Sequence, residues 1–212
     1  MLRDAGDPTL AALVDRGFPV VLFFCRSNDV TTPYVDCDNF SGGKVAANYL
    51  LSLGHRSLGM VVGSANSVDS SDRYQGFRSS IEGAGLALDA ANVPRIEGPD
   101  ASTRELVAML SRPDRPSALF VWSDDVAFEC MHTIRDLGLK IPEDVSLVGF
   151  DSTAACGRME PPLTSVRQPI AEMAKKAARI LKSVVQREGG PVQQIVFPAH
   201  LDVRGSAASF RS

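Results

Sequence analysis

Four short apolar runs along the chain have the character of buried strands. Each run is continuous rather than alternating with polar residues, which is typical of parallel strands that helices cover on both faces. The runs are Val20–Phe24, Leu58–Val62, Leu119–Trp122 and Val145–Phe150. The pattern therefore predicts a parallel sheet with protected faces.

Stretches with helical spacing separate these runs. An apolar stripe over residues 45–53 ends before Gly54, where a left-handed C-cap would fall. Further helices are predicted from Ser70 or Ser71 to Gly85, from a Ser102–Glu105 capping box onward, over about 125–137 and over about 170–185. This alternation of strand and helix predicts an α/β fold with an open, doubly wound parallel sheet.

The composition is that of an ordinary folded chain with a slightly acidic balance. Of the 212 residues, 44% are hydrophobic, and 22 Lys and Arg stand against 25 Asp and Glu, for a net charge of −3. These values do not fit a disordered or collagen-like chain, and no basic run is dense enough to follow a nucleic-acid backbone. This chain by itself is predicted not to bind DNA.

Cysteine usage and hydropathy limit the class of protein further. The four cysteines are scattered without the spacing of a zinc site, so we expect free, mostly buried thiols and no metal. The stretch Met1–Thr9 has no features of a secretory leader, and the most apolar run, Phe18–Cys25, is far shorter than the ~20 residues of a membrane helix. We expect a cytoplasmic protein that does not contact a membrane.

Polar residues follow each of the four apolar runs. In doubly wound sheets, ligands bind beyond the carboxyl ends of the strands, so these positions are the candidates for a binding site. They are residues 26–28, 63–65, 123–125 and 151–152. Their short polar side chains suit a small, hydroxyl-rich or charged ligand. A second interpretation is that Ser123 and Asp124 only cap the helix that follows them.

The sequence contains few signatures of an enzyme. A phosphate-binding loop is missing, because Val45 follows Gly42-Gly43-Lys44 where Ser or Thr would stand, and we interpret these glycines as a helix start. Asp124, Asp125 and Asp151 leave open a carboxylate pair for acid–base chemistry or a site for a hard metal. Hydrogen bonding to a ligand is the favoured use of these residues, with no catalytic residue, cofactor or metal.

Two longer segments carry a specific resemblance. Leu137–Asp151 reads LGLKIPEDVSLVGFD, and Pro161–Pro169 reads PPLTSVRQP. Together they resemble the lactose-repressor (LacI/GalR) family of bacterial transcription regulators. The similarity covers nearly the whole chain in one order, through residues 17–22, 35–39, 53–56, 73–77 and 203–206.

The resemblance implies a periplasmic-binding-protein-like fold of type I. Such a fold has two lobes that close around an effector. The first lobe would comprise residues 1–37 and 168–199, and the second would comprise residues 38–167 and 200–212. We expect the first lobe to be incomplete in this chain, because the family's earlier strands and its helix-turn-helix head are not found in it. The family acts as dimeric repressors, so the resemblance implies a homodimer that contacts DNA only through that separate head.

The resemblance also assigns candidate ligand-binding residues. Arg73 corresponds to the family's effector-contacting arginine, and Asp151 corresponds to its strand-end aspartate. Ser123 stands where Asn is common, Asp124 matches the Asp that follows, and Gln168 lies at a crossing between the lobes. The implied partner is a small-molecule effector, either a carbohydrate or a nucleoside-like metabolite.

Some positions depart from the family pattern. Arg26 stands close to where an acidic residue is usual, and the loop Glu97–Ser102 lacks the aromatic residue that stacks on a ligand ring in several relatives. The first departure disfavours a polar contact from the first lobe. The missing aromatic residue disfavours a simple hexose as the effector. Trp122 lies in an apolar run and is interpreted as a core residue.

Two functional classes follow from the sequence. The first is the effector-binding core of a LacI-type transcriptional regulator. The second is a stand-alone small-molecule binding protein of the periplasmic type, with which the family shares its architecture. An enzyme ranks third, because the sequence offers binding groups without an activated nucleophile.

Overall fold

The computed structural model describes residues 8–27, 29–98, 101–187 and 190–210. They form two compact units. The larger unit lies within Asn39–Ala65, Ser70–Gln168 and Ala199–Ser212, and the smaller one lies within Met1–Asp38, Asn66–Asp69 and Pro169–Pro198. The lobe boundaries given above stay a prediction.

The described residues form eight strands and six α-helices. The strands are β1 (Leu22–Phe23), β2 (Tyr34–Cys37), β3 (Leu58–Val61), β4 (Ala118–Val121), β5 (Ser146–Asp151), β6 (Thr164–Arg167), β7 (Gln194–Phe197) and β8 (His200–Asp202). The helices are α1 (Pro8–Asp15), α2 (Asn39–Ser52), α3 (Val68–Gly83), α4 (Arg104–Leu110), α5 (Asp124–Asp136) and α6 (Ile170–Val185). Short 3₁₀ helices cover Ala90–Asn92 and Ala154–Arg158.

The larger unit contains a five-stranded sheet in the order β3-β4-β5-β6-β8. Strands β3 to β6 are parallel, which confirms the predicted fold class, and β8 adds an antiparallel edge to β6. Residues of α2 and α3 form the core on one face, and residues of α4 and α5 form the core on the other. These two cores explain the continuous apolar runs of β3, β4 and β5, since the apolar side chains of these strands are buried against one helix layer or the other.

Helices α2 and α3 cross with their backbones in close contact. A Cβ atom on Gly43 would collide with the carbonyl of Arg73, and one on Gly76 would collide with the carbonyl of Phe40. The prediction that Gly42 and Gly43 start a helix was wrong. The helix begins at Asn39, and its glycines allow α3 to approach.

The smaller unit contains a parallel three-stranded sheet in the order β1-β2-β7. The amphipathic helix α6 packs on this sheet through the buried side chains of Met173 and Ile180, and its bounds confirm the prediction. The predicted strand Val20–Phe24 is reduced to Leu22–Phe23. It ends before Phe24, which takes a left-handed conformation with φ 56°. Among the described helices, none combines the length and the apolar character needed to cross a bilayer.

Other local predictions had mixed outcomes. Gly54 has φ +89° after α2, as expected of a left-handed C-cap. The prediction of a Ser102–Glu105 capping box was wrong, because Thr103 is the N-cap of α4. Glu105 instead accepts a hydrogen bond from the backbone amide of Arg95. All four cysteines are free, and Cys37, Cys130 and Cys156 are buried, as expected.

His55 joins three segments at the amino-terminal edge of the larger sheet. Its Nδ1 lies 2.9 Å from Ser117 Oγ, and its Nε2 lies 3.1 Å from both Ser146 Oγ and the carbonyl oxygen of Ala208. The ring is 3% exposed. Burial lowers the pKa of His55 below its ordinary value, while the hydrogen bond to Ala208 opposes this shift. The neutral imidazole therefore holds the carboxyl-terminal segment against β4 and β5.

We expect His55→Ala to lower the free energy of unfolding by about 2–3 kcal/mol, because buried hydrogen-bonding groups lose their partner. In the wild type, the contribution of neutral His55 is complete above pH 6.5 and is lost as the pH falls through its lowered pKa. Urea unfolding at pH 7.5 and pH 5 measures both effects. His132→Ala, at an exposed position of α5, is the control and should change stability little. Equal effects of the two substitutions would contradict this role of His55.

Candidate functional site

Polar side chains gather at one edge of the larger sheet. Parallel strands end at the same edge, so the residues that follow β4 and β5 lie near each other. Helix α3 contributes Arg73 to this region, and the end of β6 leads to Gln168. The structure brings Arg73, Asp151 and Gln168 into one polar cluster.

Arg73 is the buried cation of this cluster, with 4% of its surface exposed. Its Nε donates a hydrogen bond of 2.8 Å to Asn39 Oδ1, and its Nη1 donates to the carbonyl of Trp122. The guanidinium carbon lies 3.6 Å from the centroid of the Phe150 ring, which is a cation–π geometry. The guanidinium is therefore fixed from three sides.

The packing of α2 and α3 explains how Arg73 reaches this place. Asn39 is the first residue of α2, and the contact of Gly43 with the backbone of Arg73 sets the two helices at the separation that the hydrogen bond requires. Asn39 was not predicted as a site residue. No local motif marks it, because its partner lies 34 positions away in the sequence.

Asp151 and Gln168 form the polar pair beside Arg73. Gln168 Nε2 donates a hydrogen bond of 2.7 Å to Asp151 Oδ1. Burial raises the pKa of the Asp151 carboxyl to about 6, although the positive charge of Arg73 lowers it. Gln168 is 8% exposed, and its Oε1 has no hydrogen-bond partner among the described residues. The pair therefore offers two kinds of hydrogen-bond acceptor to a ligand, the Asp151 carboxylate and the buried Gln168 Oε1.

The backbone after β5 is strained where it carries Asp151. Asp151 has φ 114° and Ser152 has φ 52°, two consecutive left-handed residues that are not glycine. Such conformations cost on the order of 1–3 kcal/mol each and persist only where surrounding contacts hold them. Strained turns of this kind cluster at ligand sites.

Asp124 supplies contacts that hold this turn. Its Oδ2 accepts hydrogen bonds from the amide of Thr153 at 2.7 Å and from Cys156 Sγ at 3.0 Å, and its Oδ1 accepts one from Ser165 Oγ at 2.6 Å. Asp124 is fully buried. Burial raises the pKa of its carboxyl, and these hydrogen bonds lower it. Direct contact between Asp124 and an effector stays a prediction.

Ser123 is the N-cap residue of α5 and is 9% exposed. Its side chain makes no capping hydrogen bond, so the hydroxyl is not used to start the helix. Trp122 is half-buried, contacts both core clusters and donates from Nε1 to the carbonyl of Ile96 at 2.8 Å. Its indole therefore serves packing, as the sequence indicated.

The structure gives less support to the carboxylate pair and to the metal site that the sequence left open. Asp125 is exposed to solvent. Within residues 8–27, 29–98, 101–187 and 190–210, no group of three or more His, Cys, Asp or Glu side chains is arranged to hold a metal ion. In the smaller unit, Arg26 pairs with Asp36 at 3.1 Å.

A surface cavity of about 400 Å³ lies on the larger unit next to the end of β3. It is lined by Val62, Tyr74 and Arg95, among others, and also by Ser64 and Ala65 of the candidate positions 63–65. It includes none of the five ligand-binding residues that the family resemblance assigns. Its Arg95 is exposed, whereas the candidate site is built around a buried arginine. The charge and burial of the polar cluster make it the stronger candidate.

We expect Asp151→Asn to stabilise the protein at neutral pH. A pKa raised to about 6 in the folded state means that the wild type loses stability as the pH rises from about 4 to about 6. Asn cannot ionise, so the variant should gain about 1–3 kcal/mol over the wild type at pH 7.5 and lose that part of the pH dependence. Urea unfolding at pH 4.5 and pH 7.5 tests this. The exposed Asp125→Asn serves as control, and an identical pH response in all three proteins would refute the expectation.

Comparisons with known proteins match this chain to transcriptional regulators. A family model described as a periplasmic binding protein-like domain matches residues 47–207. The HTH-type transcriptional regulator CelR of Thermobifida fusca is 33% identical over 207 residues, which cover 97% of this chain and 58% of the relative. DegA of Bacillus subtilis is 33% identical over 171 residues, covering 81% of this chain and 51% of the relative. The chain thus spans little more than half the length of these relatives.

Solved structures agree with the sequence matches. A transcriptional regulator CelR–cellobiose complex superposes with a TM-score of 0.88 at 32% identity, covering 97% of this chain and 63% of that chain. A regulatory protein of the LacI family from Chloroflexus aggregans gives a TM-score of 0.88 at 30% identity, covering 98% of this chain and 75% of that chain. With its parallel sheets and its polar cluster, this chain belongs to the LacI family of transcriptional regulators and carries the periplasmic binding protein-like domain of that family.

Proposed function

We propose that this chain is the effector-binding core of a transcriptional repressor and that its effector is a small, hydroxyl-rich metabolite, either a carbohydrate or a nucleoside-like compound. The observation that carries the proposal is the buried guanidinium of Arg73 beside Asp151 and Gln168. Among the described residues no carboxylate forms a salt bridge with Arg73, and a buried charge is costly to maintain. Charged groups in such surroundings are candidates for a functional site.

The hydrogen-bonding capacity of the cluster suits a ligand with several hydroxyl groups. The two protein bonds of Arg73 use two of its five N–H groups, which leaves donors for ligand oxygens. The carboxylate of Asp151 and the unpartnered Oε1 of Gln168 can accept from ligand hydroxyls. Ser123, whose hydroxyl makes no capping bond, completes the proposed contacts. The cellobiose complex of the related CelR protein supports a carbohydrate as the first compound to test.

We propose that binding without turnover is the activity. The relatives are transcriptional regulators, and they are named for their helix-turn-helix type. In this proposal the protein is cytoplasmic, works as a homodimer and contacts DNA through a helix-turn-helix segment. The effector then shifts the equilibrium between two arrangements by its difference in affinity for them.

A thermal-shift screen of cellobiose, maltose, ribose, adenosine and sorbitol tests the proposal. A compound at 100 times its dissociation constant should add about 2.7 kcal/mol to the free energy of unfolding. We expect both Arg73→Ala and Arg73→Lys to lower the affinity for the compound at least about tenfold and so to reduce this stabilisation. Arg73→Ala removes the donors, and Lys lacks the planar fork of donors that Arg provides. The control is Arg78→Ala on the same helix, where Arg78 is exposed and pairs with Glu82.

The outcome separates the proposal from its alternatives. Stabilisation by a sugar that survives in Arg73→Lys would show that the ligand lies elsewhere. Formation of product by the purified wild-type protein, abolished in Asp151→Asn, would replace the binding function with an enzymatic one.

A further inference from the structure

The turn Asp151–Thr153 is held by a hydrogen-bond network that converges on one carboxylate. We infer that Asp124 is a positioning residue, which acts on the effector through Asp151 by fixing the backbone that follows it. This inference rests on the proposed role of Asp151 in effector binding. It assigns to Asp124 a task different from direct contact with a ligand.

The network joins both oxygens of Asp124 to consecutive backbone amides. The amide of Thr153 donates directly to Oδ2 at 2.7 Å. The amide of Ser152 donates to Ser165 Oγ at 3.0 Å, and that hydroxyl donates to Oδ1 at 2.6 Å. The two amides immediately after Asp151 are thus tied to one buried carboxyl group, one of them through a single hydroxyl.

Ser152 is also held from its other side. Its hydroxyl donates to Asp202 Oδ2 at 2.7 Å and accepts from Arg204 Nη2 at 2.9 Å. Arg204 is fixed in turn by a 2.7 Å hydrogen bond from its Nη1 to the carbonyl of Leu163. Contacts on two sides explain how Ser152 keeps a left-handed conformation, with φ 52°.

Gly149 provides the space that Asp124 needs against β5. A Cβ atom at this position would lie 2.6 Å from Asp124 Oδ1. The Gly149-Phe150-Asp151 sequence therefore has a separate function at each residue. Gly149 admits the carboxylate of Asp124, Phe150 supports the guanidinium of Arg73, and Asp151 presents its own carboxylate.

The burial and hydrogen bonds of Asp124 argue against two simpler interpretations, namely that it contacts the effector directly or that it only caps α5. Its side chain is 0% exposed and accepts three hydrogen bonds from the protein. Ser123, not Asp124, occupies the N-cap of α5. The oxygens of Asp124 are directed at the turn after β5 rather than at the helix it begins.

Backbone hydrogen exchange, measured by NMR on the ligand-free protein, tests the network directly. We expect Asp124→Ala to accelerate exchange of the Ser152 and Thr153 amides at least about tenfold more than that of the Phe120 amide, which reports global opening. Ser165→Ala should accelerate exchange at Ser152 and leave Thr153 close to the wild type. Asp125→Ala, at the neighbouring exposed position, is the matched control and should change neither amide.

The titration of Asp151 provides the readout that a merely structural role would not move. Ser165→Ala, which removes no charge, should move the ¹³C-detected midpoint of the Asp151 carboxyl away from that of the wild type, because the turn loosens and the burial and hydrogen bonds that set this pKa change. The midpoint should not move in Asp125→Ala. If cellobiose binds the wild type, its affinity should fall at least about fivefold in Asp124→Ala and in Ser165→Ala.

The results distinguish failure of this inference from failure of the proposed function. Exchange at Ser152 and Thr153 that changes only as much as at Phe120, or an unmoved Asp151 midpoint, would overturn the positioning role. If Asp124→Ala does not fold, Ser165→Ala still tests the positioning role, and unchanged exchange of the Ser152 amide in that variant would overturn it. Failure of every screened compound to bind the wild type would instead count against the proposed function, since the exchange experiment needs no ligand.

Discussion

The buried guanidinium of Arg73 imposes a strong constraint on the larger unit. A cation that is 4% exposed loses most of its hydration, so the surrounding groups must supply compensating interactions. They come from separate parts of the chain: the amide oxygen of Asn39, the carbonyl of Trp122 and the ring face of Phe150. Placing Arg73 therefore requires α2, α3 and the ends of β4 and β5 to be assembled together.

The same constraint gives the sheet edge its chemical character. Because Arg73 lies beside Asp151, the positive charge partly offsets the burial that raises the pKa of that carboxyl to about 6. At neutral pH the carboxylate is thus ionised, and it accepts from Gln168 with capacity to accept more. A cation with spare donors next to an anion with spare acceptors suits a neutral polyhydroxyl ligand better than a strongly charged one.

Local patterns in the sequence were enough to predict the architecture, but they could not predict contacts between distant residues. The apolar runs predicted β3, β4 and β5 closely, and α6 was predicted with its observed bounds, because burial on both faces and helical spacing are local properties. The antiparallel β8 was not predicted, since pairing with β6 depends on a distant segment. Glu105 has the spacing of a capping box, yet it bonds to Arg95, a partner that spacing alone does not reveal.

The candidate site was likewise predicted in part, because some of its residues are marked by the family resemblance and others are not. Family resemblance pointed to Arg73, Asp151 and Gln168, which the fold brings together. It did not separate Asp124 from Asp151, because both are aspartates that follow or end a strand. Their burial and hydrogen bonds separate them, and those bonds join residues as far as 41 positions apart. Asn39 and Ser165 were missed for that reason.

A crystal structure of the protein with the compound that gives the largest thermal shift would show whether Arg73 and Asp151 bind the effector. We expect ligand oxygens within roughly 3.2 Å, a hydrogen-bond distance, of both the Arg73 guanidinium and the Asp151 carboxylate. A ligand that occupies the cavity lined by Val62, Tyr74 and Arg95 and does not contact Arg73 or Asp151 would contradict this binding site.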